Sequence, residues 1–332
     1  MKITVWHPGM PPDPSADEQD SLTQALSVWE ALGELGLDAA PLEFDPANLP
    51  GSIDALVAHR PDVVFNLVEE MDGRQSLNYL PAQILDAMGL AFTGNRAEAM
   101  VLTTHKVATK AMLLNHGLPT PAWISSQRMQ GEERGGPYLI KPVAGDASQG
   151  ICESKLSLHE TTEAALFALE QLAGANGHGN GWFAERYIEG REFNLSLIGI
   201  EGEPVILPPA EMCFIDYPHD KPRIVGYSAK WDPDSFEYTH TRRRFDLPPE
   251  DDKLVETLRR LAADCWQLFH LRGYARVDFR VDSSGQPWIL EINTNPGIAP
   301  DAGLPAAAAA AGYDYRQLVA QIVAMADAGI PA

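Results

Sequence analysis

Four residues near the C-terminal end, Arg276, Asp278, Glu291 and Asn293, carry the strongest chemical signal in the chain. They lie in "GYARVDFRVDSSGQPWILEINTNPG", two β-rich runs joined by a turn. Residues two apart on a strand share a face, which groups Arg276 with Asp278 and Glu291 with Asn293. A hairpin centred between Ser284 and Gly285 pairs Asp278 with Glu291 and Arg276 with Asn293 by counting. Carboxylates directly opposite each other on a sheet repel, so a cation belongs between them. Mg2+, held partly by the phosphates of a nucleotide, fits such an oxygen ligand set. A solvated face on which Arg276 neutralises both acids fits the same residues, and the hairpin alone leaves the two readings open.

Further signals lie upstream. "YLIKPVAGDASQGI" sets Lys141 at the end of an apolar strand before a turn with Gly145, Ser148 and Gly150. Such a loop can lay backbone N–H groups on phosphate oxygens beside the lysine charge. It is not a Walker loop, and a plain hairpin turn is the competing reading. Lys106 falls midway along an expected helix, where a lone lysine ordinarily faces solvent. "FAERYIEGREFNLSLIG" offers Glu185, the backbone at Ile188, and Glu192: groups suited to a purine and to ribose hydroxyls, or simply strand, turn and strand. Lys230 sits in irregular sequence, where binding residues often occur. "TRRRF", residues 241 to 245, is the one tight basic cluster, suited to balancing nearby acids or gripping a phosphate.

The elements that must position these groups come next. The chain has 332 residues, enough for two or three domains, and 45% hydrophobic residues, as a globular protein requires. Its formal net charge of -21 argues against nucleic acid and against an anionic membrane surface as partners. Cys152, Cys213 and Cys265 have no metal-ligand spacing, which points to a reducing cytoplasm. No apolar run approaches the roughly 20 residues of a membrane span, and the opening "MKITVWHPG" breaks too early for a signal peptide.

The first hundred residues alternate strand and helix: "ITVWH", a helix started by a Ser15–Glu18 capping box, "DVVFNLV", "SLNYLPAQILDAMG" and "LAFTG". That order implies a parallel sheet. One long helix is expected over "RAEAMVLTTHKVATKAMLLNHG", then "YLIKP", an amphipathic helix over "TTEAALFALEQLAG", a Pro-rich stretch from 203 to 250, another helix, and the hairpin. "PAAAAAAG" reads as a packed helix.

In order and spacing, "IKP" with its small-residue turn, "AERYIEGREF", "SAKW", "GYARVDF" and "LEINTNPG" resemble an ATP-grasp enzyme of the D-alanine-D-alanine ligase type, most strongly from Lys106 to Gly297. The resemblance implies an α/β (α+β) fold of three domains: a parallel-sheet domain over 1–94, and two α+β domains, 95–185 and 186–332, clamping the nucleotide. It implies that Lys106 and Lys141 hold the ATP phosphates and that the loop at Ser148 and Gly150 closes over them. Glu185 and Ile188 would contact adenine, Glu192 the ribose, and Lys230 the γ-phosphate. Asp278, Glu291 and Asn293 would bind two Mg2+ ions, with Mn2+ as an alternative. Arg276 and the Gly297 N–H would stabilise an oxyanion, and the protein would form a homodimer. The implied reaction activates a carboxylate as an acylphosphate, which an amine converts to an amide.

The amino-acid pocket departs from that pattern. Gln19, flanked by Glu18 and Asp20, stands where the family has a glutamate, Asn66 where it has a histidine, and Ala302 where it has a serine. Glu69 and Glu70 lie where substrates would enter. In the phosphate loop, Ala147 and Asp146 replace the usual small residues. The expectation is therefore a carboxylate-amine ligase for amino-acid or peptide substrates other than two D-alanines. Authentic D-alanine-D-alanine ligase, an ATP-grasp kinase and a non-catalytic nucleotide-binding protein are the alternatives.

Overall fold

The computed structural model describes residues 1–69, 74–125, 128–130, 136–145, 158–175 and 181–326. The alternating first hundred residues build a parallel sheet from β1 (Lys2–Pro8), β2 (Asp38–Phe44), β3 (Val63–Asn66) and β4 (Ala91–Phe92), in the order β2-β1-β3-β4. Helices α1 (Ala16–Glu34), α2 (Leu49–His59) and α3 (Tyr79–Ala87) make the crossovers. The capping box at α1 forms as expected, with the Glu18 carboxylate accepting from both Ser15 N and Ser15 Oγ at 2.7 Å. Strand β2 was not anticipated, because "DAAPLEF" carries a proline and acids. At the sheet edge a missing N–H costs little.

The single helix expected over residues 95 to 117 is two: α4 (Ala97–Thr104) and α5 (Lys106–Asn115). His105 leaves helical geometry (φ -87, ψ 85), its ring accepts from Ala108 N, and it bridges to Ala144. The break turns Lys106 from a mid-helix residue into the first of its helix.

A second sheet is antiparallel, ordered β6-β5-β9-β7-β8 from β5 (Trp123–Ser125), β6 (Arg128–Gln130), β7 (Tyr138–Pro142), β8 (Leu158–His159) and β9 (Trp182–Arg186). Helix α6 (Thr162–Ala175) packs on it through Ala165 against Ile124, Tyr138 and Ala184.

The third sheet comprises β10 (Arg191–Ile200), β11 (Glu203–Ile206), β12 (Ala210–Phe214), β13 (Thr241–Arg244), β14 (Tyr274–Val281) and β15 (Pro287–Asn293). Its order is β13-β12-β10-β14-β15, with β11 paired to β10. Two short helices, α7 (Tyr227–Trp231) and α8 (Phe236–His240), interrupt the Pro-rich stretch, and α9 (Asp252–Leu268) follows it. Strand alternation sorts the sheet's faces. Phe193, Leu195, Leu197, Val277 and Phe279 are buried against Leu258, Leu261 and Cys265 of α9, which leaves the polar positions of β10 and β14 on the opposite face. The C-terminal helices α10 (Gly303–Ala310) and α11 (Tyr315–Ala324) share a core with β1 and α1 through Leu304, Ala307, Leu318 and Ile322.

The hairpin pairs Asp278 with Glu291 and Arg276 with Asn293, as counted. Its tip differs from expectation. Phe279 pairs with Ile289 and Val281 with Pro287, which centres the turn on Ser284 and leaves Leu290 as an extra residue in the ladder. The bulge restores the register that a turn centred there would otherwise shift by one. Among the described residues no helix is long and apolar enough to cross a membrane.

Candidate active site

The polar face of the third sheet opens on a cleft of about 570 Å³ that also reaches β7, β9, α1, α7 and the loop after β15. Across β10 and β14, Glu192 lies opposite Arg280, Asn194 opposite Asp278, and Ser196 opposite Arg276. All six line the cleft.

At its centre the facing acids of the hairpin are separated by side-chain cations. Arg276 grips Asp278 as a fork, Nε to Oδ1 at 2.7 Å and Nη2 to Oδ2 at 2.8 Å, and lies 4.0 Å from Glu291. Lys106 Nζ stands 4.0 Å from the other Glu291 oxygen and donates to the Gly145 carbonyl. Asn194 donates to Asp278 at 2.8 Å. Burial pushes the Asp278 carboxyl up against the pull of Arg276. Burial also raises Glu291, but Lys106, Lys230 and Arg276 outweigh it and hold Glu291 below the usual range. Lys230, on α7, is itself lowered by burial and by the neighbouring Arg276. Asn293 lines the cleft while its Oδ1 accepts from Asn295 N at 2.8 Å. Among the described residues no group of three His, Cys, Asp or Glu side chains is arranged to hold a metal. Two carboxylates and an amide are nevertheless hard oxygen donors of the kind Mg2+ takes when phosphate and water complete its shell.

One end of the cleft is organised by Glu185, which is 3% exposed and pinned by two lysines. Lys110 Nζ lies 2.6 Å from Oε1, and Lys141 Nζ bonds Oε2. Lys110 also donates to Thr120 Oγ1 at 2.7 Å and sits over the Trp123 ring. Ile188 is buried at the cleft wall, and Glu192 pairs with Arg280 at 2.9 Å. Ser148 and Gly150, with Asp146 and Ala147, lie outside the described residues.

The other end is bounded by Glu18, Glu69, Gly297 and Ala302, all in the lining. Gln24 joins two of its walls: its Nε2 donates to Glu69 at 2.9 Å and its Oε1 accepts from Ile298 N, next to Gly297. Tyr227 of α7 reaches across to donate to Asp17 at 3.1 Å. Burial, then Asp301 and Asp17, push Asp20 up to about 6. Two residues expected here lie elsewhere. Gln19 is exposed and donates to the Pro14 carbonyl, because α1 turns Asp17, Asp20 and Ser21 toward the cleft and their neighbour away. Asn66 is buried and accepts from Val68 N at 3.3 Å. Glu70 lies outside the described residues.

The sequence pattern described as "D-ala D-ala ligase C-terminus" matches residues 115–324. The chain belongs to the D-alanine-D-alanine ligase family. It is 30% identical over 336 residues to the D-alanine-D-alanine ligase of Moorella thermoacetica, covering 98% of this chain and 99% of that one. It is 31% identical to that of Chromohalobacter salexigens, over 93% and 90% of the two chains. The D-alanine-D-alanine ligase from Bacillus anthracis complexed with ATP superposes with a TM-score of 0.72 at 20% identity, over 98% of this chain and 97% of that one, which establishes a shared fold. Membership in the D-alanine-D-alanine ligase family makes the protein an ATP-dependent, ADP-forming ligase.

Four residues that organise this D-alanine-D-alanine ligase-like cleft escaped sequence reasoning: Gln24, Lys110, Asn194 and Arg280. Arg280 was within reach, since it continues the period-two row of Arg276 and Asp278. Lys110 follows Lys106 by one helical turn, a spacing visible only once the start of α5 is known.

Proposed function

We propose that the protein joins two amino acids into a dipeptide, with D-alanine on both sides as the pair favoured by the names of its relatives. The observation that carries this reading is one continuous cleft lined by Lys141, Glu185 and Glu192 at one end, Arg276, Asp278 and Glu291 at its centre, and Gly297 at the other. ATP would lie with its adenine by Glu185 and Ile188, its ribose on Glu192, and its phosphates toward Lys106, Lys141 and Lys230. The carboxylate of the first amino acid attacks the γ-phosphorus, releasing ADP and leaving an acylphosphate. The amine of the second attacks the acyl carbon. Arg276 and the Gly297 N–H take the developing oxyanion charge, and phosphate departs. Little covalent help is needed, so positioning and charge neutralisation dominate. Mg2+, or Mn2+ in its place, held through Asp278, Glu291 and Asn293 would neutralise the triphosphate. The three sheets serve as the three domains of this reading, and a cytoplasmic homodimer completes it on the resemblance alone.

A second reading keeps the chemistry and changes the amino acids. Ala302 offers no hydroxyl, while Gln19 and Asn66 are not among the residues that line the cleft, which favours an acid or amine other than D-alanine. The deciding assay supplies ATP and Mg2+ with D-alanine, then with a panel of amino acids, amines and small peptides, and follows ADP and product mass. D-alanine-dependent ADP with a product of two substrates minus water is expected. ADP with other amino acids only selects the second reading. A phosphorylated hydroxyl would show a kinase, and no substrate-dependent ADP at all would overturn both.

Arg280→Met tests the nucleotide end. It leaves the buried Glu192 carboxylate without its guanidinium, whose hydrogen bonds are worth roughly tenfold in affinity or more. KM for ATP should rise by about that factor, and the preference for ATP over 2′-deoxy-ATP should shrink. An unchanged preference would remove Glu192 from the ribose.

A further inference from the structure

The basic cluster on β13 is divided by strand alternation. Arg244 lies opposite Glu211 and pairs with it, inside a network with Arg191 and Asp251. Arg242 donates to the Tyr238 and Thr241 carbonyls. Arg243 lies opposite Met212, which lies opposite Glu192, which lies opposite Arg280. All four residues of that row, one on each of four strands, line the cleft. The guanidinium of Arg243 extends under the loop that follows Gly297. Its Nη1 is 3.4 Å from the Asp301 carbonyl, and its Nη2 is 3.9 Å from where a Cβ on Gly303 would stand. Among the described residues it forms no ion pair, whereas Arg276 in the same cleft is committed to Asp278. The side chain is exposed to the cleft; partial desolvation there and the like charge of Arg276 work against its cation, and the Asp301 carboxylate works for it.

Resting on the ligase reading above, we propose that Arg243 receives the carboxylate of the amine-donating substrate. Position selects this anion over a phosphate. Lys106 and Lys141 meet Gly145, Glu185 and Glu291 at the nucleotide side, while Arg243 touches the 301–303 loop beside Ala302. A planar guanidinium suits a carboxylate as a bidentate donor. It supplies the recognition that the Ala302 methyl cannot.

The test is steady-state kinetics of the full-length protein and of its Arg243→Met and Arg243→Lys variants. The acceptor is the amino acid that supports ADP release, compared with its carboxamide: D-alanine and D-alaninamide in the first instance. In the native protein the carboxamide should be the poorer acceptor by about 10- to 100-fold, the range for a charge-assisted hydrogen-bonded pair. Arg243→Met should raise the acceptor KM by a similar factor and abolish the discrimination, with the KM values for ATP and donor within twofold. Arg243→Lys should recover part of it. Unchanged acceptor KM and discrimination would overturn the assignment while dipeptide synthesis continues. A raised KM for ATP with the acceptor unaffected would assign the guanidinium to phosphate instead. Absence of amino-acid-dependent ADP in the native protein would remove the ligase reading and this one with it.

Discussion

Arg276→Met should lower kcat by roughly 100- to 1,000-fold, the range for losing one oxyanion donor, while KM for ATP stays within a few-fold of the native value. The reason lies in where the side chain points. Its fork is held on Asp278 within the cleft, 4.0 Å from Glu291, where a developing anion would compete with those carboxylates for it. Removing the guanidinium leaves Asp278 and Glu291 facing each other with one cation fewer beside them, so the Mg2+ requirement should tighten and not weaken. Arg276→Lys keeps a charge but loses the fork, and should fall between the two. Native kcat in Arg276→Met, with ADP and peptide formation still coupled, would remove this residue from the reacting centre.

The second large effect falls on stability. Lys110 is 1% exposed, and its pKa is lowered to about 8, chiefly by burial, with Glu185 opposing. Glu185 is lowered from 4.5 to about 2. Burial raises it, but Lys110 and Lys141 outweigh that. Since the native carboxylate titrates below its unfolded value, its contribution is complete above about 4.5 and is lost as pH falls from there toward 2. Lys110 acts in the opposite limb: from about 8 to 10.5 the unfolded chain binds the extra proton, and this group's contribution to stability rises with pH. Lys110→Met breaks one of two buried pairs to Glu185, and should cost about 3 kcal/mol at neutral pH, at the low end for an uncompensated buried charge. The acid limb of the urea midpoint should also move to higher pH. Adding Glu185→Gln should recover much of the loss, because an amide is far cheaper to bury than a carboxylate. A single variant as stable as the native protein, with an unshifted acid limb, would show that Lys141 alone suffices.

What the sequence disclosed, and what it concealed, follows from the range of the interactions involved. The opposition of Asp278 and Glu291 was countable because a hairpin brings neighbours together through a short turn. The capping box of α1 was legible for the same reason, with both partners inside one turn of helix. The break at His105 was not, since it depends on a bridge to Ala144, far along the chain. The burial of Lys110 depends on Thr120 and on Trp123 and Glu185 of the second sheet. A lysine in a helical pattern looks the same whether it meets solvent or a carboxylate. Helical spacing groups Asp17, Asp20, Ser21 and Gln24 on one side of α1, but that this side bounds a cleft depends on the third sheet, which is remote in sequence.

The extra residue at Leu290 has a practical use. The shift in the ladder and three further pairs, Phe279 with Ile289, Arg280 with Trp288 and Val281 with Pro287, stand between residues 282 to 286 and the row that holds Asp278 and Glu291. That tip is thus a natural graft point. A fluorophore or a short inserted epitope placed there would ride on the hairpin without transmitting its strain to the reacting groups.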